Sequence, residues 1–195
     1  MCNLYRMRSN ADEIARVFDA RNVAGNIPDL PEIYPDQNAP VIRSVDEGRV
    51  IETFTWGFPP PGQVKRPVTN VRNLESPFWL SALKRPERRC LVPVTAFCEW
   101  TGPKGAKTKV WFDLIDDPLF AFAGIWRPVE GKATRFAFLT CAPNDIVGAV
   151  HPKAMPVILT PSDAEIWLRE DWRVALNLVS TYPSRKMRSN DRKLL

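Results

Sequence analysis

The sequence predicts an α+β protein, a single domain with a curved, largely antiparallel β-sheet or barrel-like core and short flanking helices. Short runs of β-branched and aromatic residues alternate with turn residues, which is typical of antiparallel sheets. The 19 prolines among 195 residues favour short elements over long helices. With 45% hydrophobic residues and no internal break in composition, one domain over residues 1–195 can bury a sizeable core.

Capping signals predict the helices. Asn10 followed by Glu13 resembles a capping box and predicts a helix over residues 11–20. Residues 22–40 hold four prolines and Gly25, and they predict an irregular loop. Further short helices are predicted at residues 77–83, 164–170 and 172–179.

The strand pattern is interrupted by turns of defined chemistry. Asp46-Glu47-Gly48 predicts the turn of a hairpin, because glycine tolerates positive φ. The predicted strands are residues 41–45, 49–56, 90–100, 109–115, 119–126, 134–142 and 156–160.

Charge is concentrated in two places. The net charge is +5, and most of it belongs to a basic C-terminal tail at about residues 181–195. Charge alone favours a solvated, frayed end of the chain over a nucleic-acid arm. The basic segment 84–89, Lys-Arg-Pro-Glu-Arg-Arg, either faces phosphates or faces only water.

Several classes are disfavoured by what the sequence lacks. No apolar run approaches the roughly 18 residues that span a membrane, and there is no signal-peptide core, so we expect a soluble, cytoplasmic protein. The four cysteines show no CxxC spacing and His151 is the only histidine. We therefore expect free thiols, no metal and no cofactor.

The most distinctive chemistry lies at the second residue. Loss of Met1 would leave Cys2 with a free α-amine and a thiol on adjacent carbons, whose reference pKa values are about 7.7–8 and about 8.5. An aldehyde that meets this 1,2-aminothiol forms an imine, which the thiol closes to a thiazolidine. The alternative is a small buried hydrophobic residue.

Three further segments carry candidate groups. Glu99 ends a hydrophobic run beside a tryptophan, where desolvation would raise its pKa; alternatively it points into water. His151 lies in a proline-punctuated loop before a strand, where it serves function or is merely a surface histidine. Asn70 and Arg72 share a face of an extended segment, suited to orienting a nucleophile and clamping a phosphate.

Together these segments resemble the SOS response-associated peptidase family, which includes abasic-site processing proteins. The resemblance follows the family's order along nearly the whole chain. It rests on Met1-Cys2, Ala39-Pro40, Trp56-Gly57, Asn70-x-Arg72, Arg89-Cys90-Leu91-x-Pro93 leading to Glu99-Trp100, and His151 followed by Met155-Pro156-Val157-Ile158-Leu159.

The resemblance implies covalent capture of abasic sites in single-stranded DNA, in a DNA damage and SOS response. Cys2 would be the nucleophile, forming a thiazolidine crosslink. Asn70 would hold its amine, and Glu99 would move protons. His151 would help to open the sugar hemiacetal. Met1 would be removed by a host aminopeptidase or by self-cleavage, the activity behind the name peptidase.

The resemblance also implies DNA contacts. Arg72 would bind a phosphate beside the abasic nucleotide, and Trp100 and Pro40 would form a wall for the flanking bases. Lys153 stands where the family has arginine, which keeps a cation but loses the bidentate fork. Cys2 is followed by Asn3 and Leu4, where many members have glycine and arginine. We expect a monomer, associated with the nucleoid when bound to damaged DNA.

Two other functions remain open at this level. The chain could be a non-covalent single-stranded DNA-binding module in which Cys2 is incidental. It could also be a thiol peptidase that pairs Cys2 with His151 and cleaves peptides in trans.

Overall fold

Antiparallel pairing builds most of the structure, a computed structural model in which residues 2–60 and 66–191 are described. The strands are β1 Tyr5–Met7, β2 Arg21–Asn22, β3 Leu30–Ile33, β4 Asn38–Val45, β5 Gly48–Trp56, β6 Asn70–Val71, β7 Arg89–Val94, β8 Ala96–Thr101, β9 Thr108–Leu114, β10 Phe120–Val129, β11 Lys132–Cys141, β12 Met155–Pro156, β13 Ile158–Leu159 and β14 Met187–Ser189. The helices are α1 Ala11–Phe18, α2 Pro77–Leu83, α3 Asp145–Gly148, α4 Ala164–Arg169 and α5 Trp172–Ala175.

Two sheets share one hydrophobic core. The first has five strands in the order β14-β9-β8-β1-β3. In the second, β11, β10, β7, β4 and β5 are neighbours in that order, and β5 returns to pair in parallel with β11. This last pairing closes a barrel-like ring. The predicted α+β class is therefore confirmed.

Local signals account for the elements that were predicted well. Strands β4 and β5 form the expected hairpin, with Gly48 at a φ of +112° in its turn. The Asn10 side chain caps α1 by accepting from the Glu13 N–H at 2.9 Å, and the helix ends at Phe18 because Asp19 turns left-handed. Ser76 caps α2, which begins and ends as predicted.

Long-range pairing overrode the prediction in residues 22–40. This segment is not wholly irregular, because Leu30–Ile33 pairs with β1 and β4 already begins at Asn38. Pro31 lies in β3, where the pairing with β1 shifts register between Tyr5 and Met7. Composition identified the breakers, but not the partner strands.

The single strand predicted over residues 90–100 is two strands in different sheets. Thr95 bends the chain between β7 and β8, and its backbone N–H and its hydroxyl both donate to the Arg6 carbonyl, at 2.9 and 3.2 Å. The bend is therefore fastened to β1. As a result β7 joins the ring while β8 joins the other sheet.

The C-terminal segment is part of the fold rather than frayed. Met187, Arg188 and Ser189 form β14, which pairs with β9, and the Met187 side chain is buried. The expectation of a solvated tail is thus wrong for this strand; residues 192–195 lie outside the described part of the chain. Because β9 pairs in turn with β8, the tail supports the strand that carries Glu99.

None of the helices in the described residues is long and apolar enough to cross a membrane. Those residues also contain no group of three or more His, Cys, Asp and Glu side chains that could hold a metal ion.

We predict that Met187→Ala lowers the free energy of unfolding by about 2–5 kcal/mol, because it removes a buried side chain from the edge of the core. The matched control is Lys186→Ala, since Lys186 is exposed. Urea unfolding of the two variants checks this. Equal stability of both variants would mean that the C-terminal strand does not pack in solution.

Candidate active site at the start of the chain

An apolar groove of about 640 Å³ opens beside the first residues of the chain. Its walls combine the N-terminus, the end of β3, β6 with the residues before it, and β8. The lining residues are Asn3, Tyr34, Pro35, Arg66, Pro67, Val68, Thr69, Asn70 and Trp100.

Cys2 directly precedes Asn3, which lines this groove, and Cys2 itself is 1% exposed. Its Sγ donates to the Leu4 carbonyl at 3.4 Å and lies 3.9 Å from the Cys98 carbonyl. Backbone pairing holds it there, because the Cys98 N–H donates to Leu4. Burial, together with the neighbouring Glu99 charge, raises the pKa of the thiol well above its usual value. Cys2 is therefore a neutral thiol at physiological pH.

The Asn70 amide connects β6 to Cys2. Its Nδ2 donates to the Cys2 carbonyl at 3.0 Å and to Thr69 Oγ1 at 2.7 Å. A backbone carbonyl only accepts hydrogen bonds, so this contact fixes which end of the amide faces Cys2. The opposite end, Oδ1, is buried and has no partner among the described residues. The site thus holds an acceptor with an unused lone pair.

Thr69 and Asn3 lock that arrangement. Because the Thr69 hydroxyl accepts from Asn70, its own hydrogen is free to donate, and it does so to Asn3 Oδ1 at 3.1 Å. The sequence prediction missed both residues. The available signal was that Thr69 precedes Asn70 and Asn3 follows Cys2 in the sequence. The hydrogen bond between Thr69 and Asn3 joins residues 66 positions apart, so no local pattern predicts it.

Glu99 is buried in β8, and its Oε1 has no described hydrogen-bond partner. Desolvation by burial raises the pKa of its carboxyl to about 7. A carboxyl group with this pKa exchanges protons readily at physiological pH. Of the two interpretations of Glu99, the desolvated carboxylate is the one that the structure supports.

His151 lies in the loop between α3 and β12. Its Nδ1 contacts the Ala154 carbonyl at 3.1 Å, which assigns a hydrogen to Nδ1 and leaves Nε2 as the basic nitrogen of the neutral ring. Burial lowers the pKa of the imidazole. β12 pairs with the end of β11, and the preceding residues of β11 pair with β6, so this loop lies at the same end of the sheet as Asn70.

Trp100 is the one predicted DNA-contacting residue that lines the groove. The Lys109 ammonium lies 5.5 Å from its ring centroid and forms an ion pair with Glu32. Glu32 in turn accepts from the Tyr34 hydroxyl at 2.6 Å. This ion pair and hydrogen bond set the position of an aromatic wall.

The other predicted contacts lie elsewhere. Pro40 is buried within β4 and presents no exposed face for a base, whereas Pro35 lines the groove. Arg72 is exposed directly after β6, and Lys153 is exposed in the His151 loop. Tyr34, Pro35 and Arg66 were missed by the sequence analysis, because no local pattern links these loop residues to the N-terminus.

The fold brings a buried thiol, a buried amide and a buried carboxyl group together at the start of the chain. A family model described as SOS response associated peptidase (SRAP) matches residues 1–191. The chain belongs to this family, as the sequence motifs indicated. Membership suggests a role in the SOS response and DNA damage.

Solved structures share the fold. A protein from Bacteroides thetaiotaomicron superposes with a TM-score of 0.83 at 22% identity, covering 96% of this chain and 90% of the other. A protein from Bordetella bronchiseptica gives 0.79 at 21% identity, covering 96% and 98%. A phage-related protein from the same species gives 0.77 at 23% identity, covering 96% and 92%. No curated protein matches the sequence.

We predict that Glu99→Gln stabilises the fold in a pH-dependent way. The folded-state pKa of about 7 lies above the usual glutamate value of 4.5, so the native carboxyl holds its proton to higher pH than the unfolded one. The free energy of unfolding of the wild type therefore falls as pH rises between these two values. The loss caused by ionising Glu99 is complete above pH 7. Glutamine has no charge to bury.

The free energy of unfolding of Glu99→Gln should thus exceed that of wild type by an amount that grows from pH 5 to pH 8. We expect this difference to reach the order of 2–3 kcal/mol in urea unfolding. Glu75→Gln is the control, since Glu75 is exposed. A gain that is the same at both pH values would contradict a buried carboxyl with a raised pKa.

Proposed function

We propose that this protein captures the aldehyde of abasic sites in single-stranded DNA by forming a thiazolidine between C1′ of the sugar and Cys2, after Met1 has been removed. The observation that carries the proposal is the enclosure of Cys2 between the Asn70 amide and the Glu99 carboxyl group in one buried cluster. An abasic site offers no base to read, so its aldehyde is the feature that an aminothiol recognises.

The chemistry balances without a cofactor. The Cys2 amine adds to the open-chain aldehyde, and loss of one water gives an imine. The thiol S–H then adds across the C=N bond, with sulfur going to carbon and the proton to nitrogen. The unused Asn70 Oδ1 is suited to accept a hydrogen bond from the amine.

Protonation states favour attack by the amine first. The thiol is neutral because burial and Glu99 raise its pKa, whereas Glu99 with a pKa of about 7 is present in both forms at neutral pH. In the proposal its carboxylate takes a proton from the amine. Its acid form then protonates the departing hydroxyl, and the same group assists the reverse reaction.

His151 would act on the sugar before the aldehyde is exposed. Opening of the hemiacetal needs a proton on the ring oxygen, and Nε2 supplies one only in the imidazolium form. Because burial lowers the pKa of this ring, that form is a minor species at neutral pH. We therefore assign His151 a larger contribution in mildly acidic solution.

The groove suits a single strand rather than a duplex. Its apolar walls, with Trp100, Tyr34 and Pro35, offer faces to unstacked bases, while Arg66 supplies a positive charge. We assign Arg72 and Lys153 to phosphate contacts at the outer edge, because both are exposed.

The two alternative functions are less well supported. A peptidase that acts in trans needs a reactive thiolate, but burial raises the pKa of the Cys2 thiol. A purely non-covalent module gives no reason to bury a carboxyl group beside the first thiol of the chain. Self-limited removal of Met1 remains compatible with the proposal.

The crosslink is tested with an abasic single-stranded oligonucleotide, a denaturing gel and intact mass measurement. Wild type should give a stable adduct whose mass is protein without Met1 plus DNA, minus one water. Cys2→Ala should lose the stable band but still give an adduct when borohydride reduces the imine, because its amine remains.

Cys141→Ala is the matched thiol control and should behave as wild type, since Cys141 bonds to Ser180 and Pro156 rather than to the cluster. A wild-type protein without a shifted band, or a Cys2→Ala variant with an equal heat-stable band, would refute the proposal.

The Thr69–Asn3 hydrogen bond gives a separate prediction. Thr69→Val keeps the shape but removes the hydroxyl that holds the Asn70 amide. The crosslinking rate at saturating DNA should fall about tenfold, equivalent to about 1.4 kcal/mol. The DNA concentration that gives half the maximal rate should stay unchanged.

Thr69→Ser restores the hydroxyl and should recover most of the rate. A serine variant no faster than the valine variant, or a defect confined to the half-saturating concentration, would show that the hydroxyl does not position Asn70.

A further inference from the structure

A second, smaller pocket of about 150 Å³ lies where β10, α2 and the turn before β7 meet. It is lined by Phe58, Phe78, Ser81, Ala82, Arg85, Arg88, Trp126, Arg127 and Pro128. Three of these residues are arginines and none is acidic. Two of the three, Arg85 and Arg88, come from the basic segment 84–89. The sequence alone did not decide whether this segment faces phosphates or only water.

Aromatic rings hold two of the arginines in place. The Arg127 guanidinium carbon lies 4.4 Å from the Phe58 ring centroid and 4.5 Å from that of Phe78. The Arg88 carbon lies 4.6 Å from the Trp126 centroid. Stacking limits the rotamers of these side chains before any ligand arrives, so less conformational entropy is lost on binding.

Among the residues that the structure describes, the three charges lack anionic partners. No described carboxylate lies within ion-pair distance of Arg85, Arg88 or Arg127. Burial lowers the pKa of Arg127, so this cation has lost part of its hydration without receiving a counter-charge. By contrast, Arg135 on the neighbouring strand β11 forms an ion pair with Asp36.

The pocket adjoins the groove. Phe58, in its wall, pairs with Val68, which lines the groove, through backbone hydrogen bonds of 3.0 and 2.9 Å. A chain that passes along the groove therefore has this pocket beside its path.

We propose that Arg85, Arg88 and Arg127 form a binding site for a phosphate group, supplied by the backbone of the single strand whose abasic nucleotide lies in the groove. The site follows from its own charges and geometry, whereas the source of the phosphate rests on the proposed function. The planar guanidinium groups suit the phosphate oxygens, because each can donate two parallel hydrogen bonds. Anchoring a remote phosphate would hold the strand without reading its sequence.

The test uses the Cys2→Ala protein and an intact oligothymidylate without an abasic site, so that only non-covalent binding is measured. Arg85→Gln/Arg88→Gln should weaken binding about 3–10-fold at low salt in fluorescence anisotropy. The slope of log affinity against log salt should become shallower by about 1–2.

The matched control is Arg16→Gln/Arg173→Gln, which removes the same charge from exposed positions outside the pocket. It should keep both the affinity and the slope of the parent. Arg127 is left intact in the main variant because its stacked side chain also supports the fold.

A second arm titrates inorganic phosphate and pyrophosphate while following the Trp126 indole N–H resonance by NMR. A shift that is lost in the double variant, together with weaker oligonucleotide binding, supports the proposal. A shift with unchanged oligonucleotide binding would overturn the DNA backbone as the source and leave a free-anion site.

No shift, with oligonucleotide binding equal in both double variants, would overturn the site itself. The crosslinking assay on an abasic oligonucleotide reports the proposed function separately, so that failure of one proposal is distinguishable from failure of the other.

Discussion

The Asn70 amide is the constraint on which the rest of the site depends. One side-chain nitrogen bridges the Cys2 carbonyl and the Thr69 hydroxyl, and it does so where no water is needed to complete the contacts. The aromatic core reaches the same point, because the Trp56 indole donates to the Thr69 carbonyl at 3.2 Å. These hydrogen bonds connect Cys2 to the interior of the barrel-like ring. Close approach of the chain here also requires Gly57, where a Cβ would lie 2.6 Å from Pro67.

The site combines rigidity with unsatisfied polarity. Most of the molecule buries apolar side chains, yet Glu99 Oε1 and Asn70 Oδ1 are buried and unpartnered among the described residues. Such groups cost stability unless a ligand or a reacting atom completes them. Both belong to residues around Cys2, and buried polar groups of this kind are frequent at functional sites. The pocket lined by Arg85, Arg88 and Arg127 is incomplete in a similar way, because its positive charges have no anionic partner among the described residues.

Features encoded by neighbouring residues were predictable from the sequence, whereas those that depend on distant pairing were not. The Gly48 turn and the Asn10 cap are read from a few consecutive positions, and the structure places both as expected. The bend at Thr95 depends on a hydrogen bond to Arg6, and the groove wall at Pro35 depends on the pairing of β3 with β1. Neither feature is encoded by a pattern of neighbouring residues. Residue chemistry identified Glu99, but its burial depends on β9 and β14.

The burial of Cys2 bears on whether Met1 would be removed before or after the chain folds. With 1% of the residue exposed, a separate aminopeptidase reaches the bond before Cys2 only while the chain is still unfolded, near the ribosome. Cleavage by the protein's own side chains has the opposite requirement, since the cluster exists only after folding. Under the proposed function, removal of Met1 is therefore either early and external or late and intramolecular, and slowing folding would speed one route and delay the other.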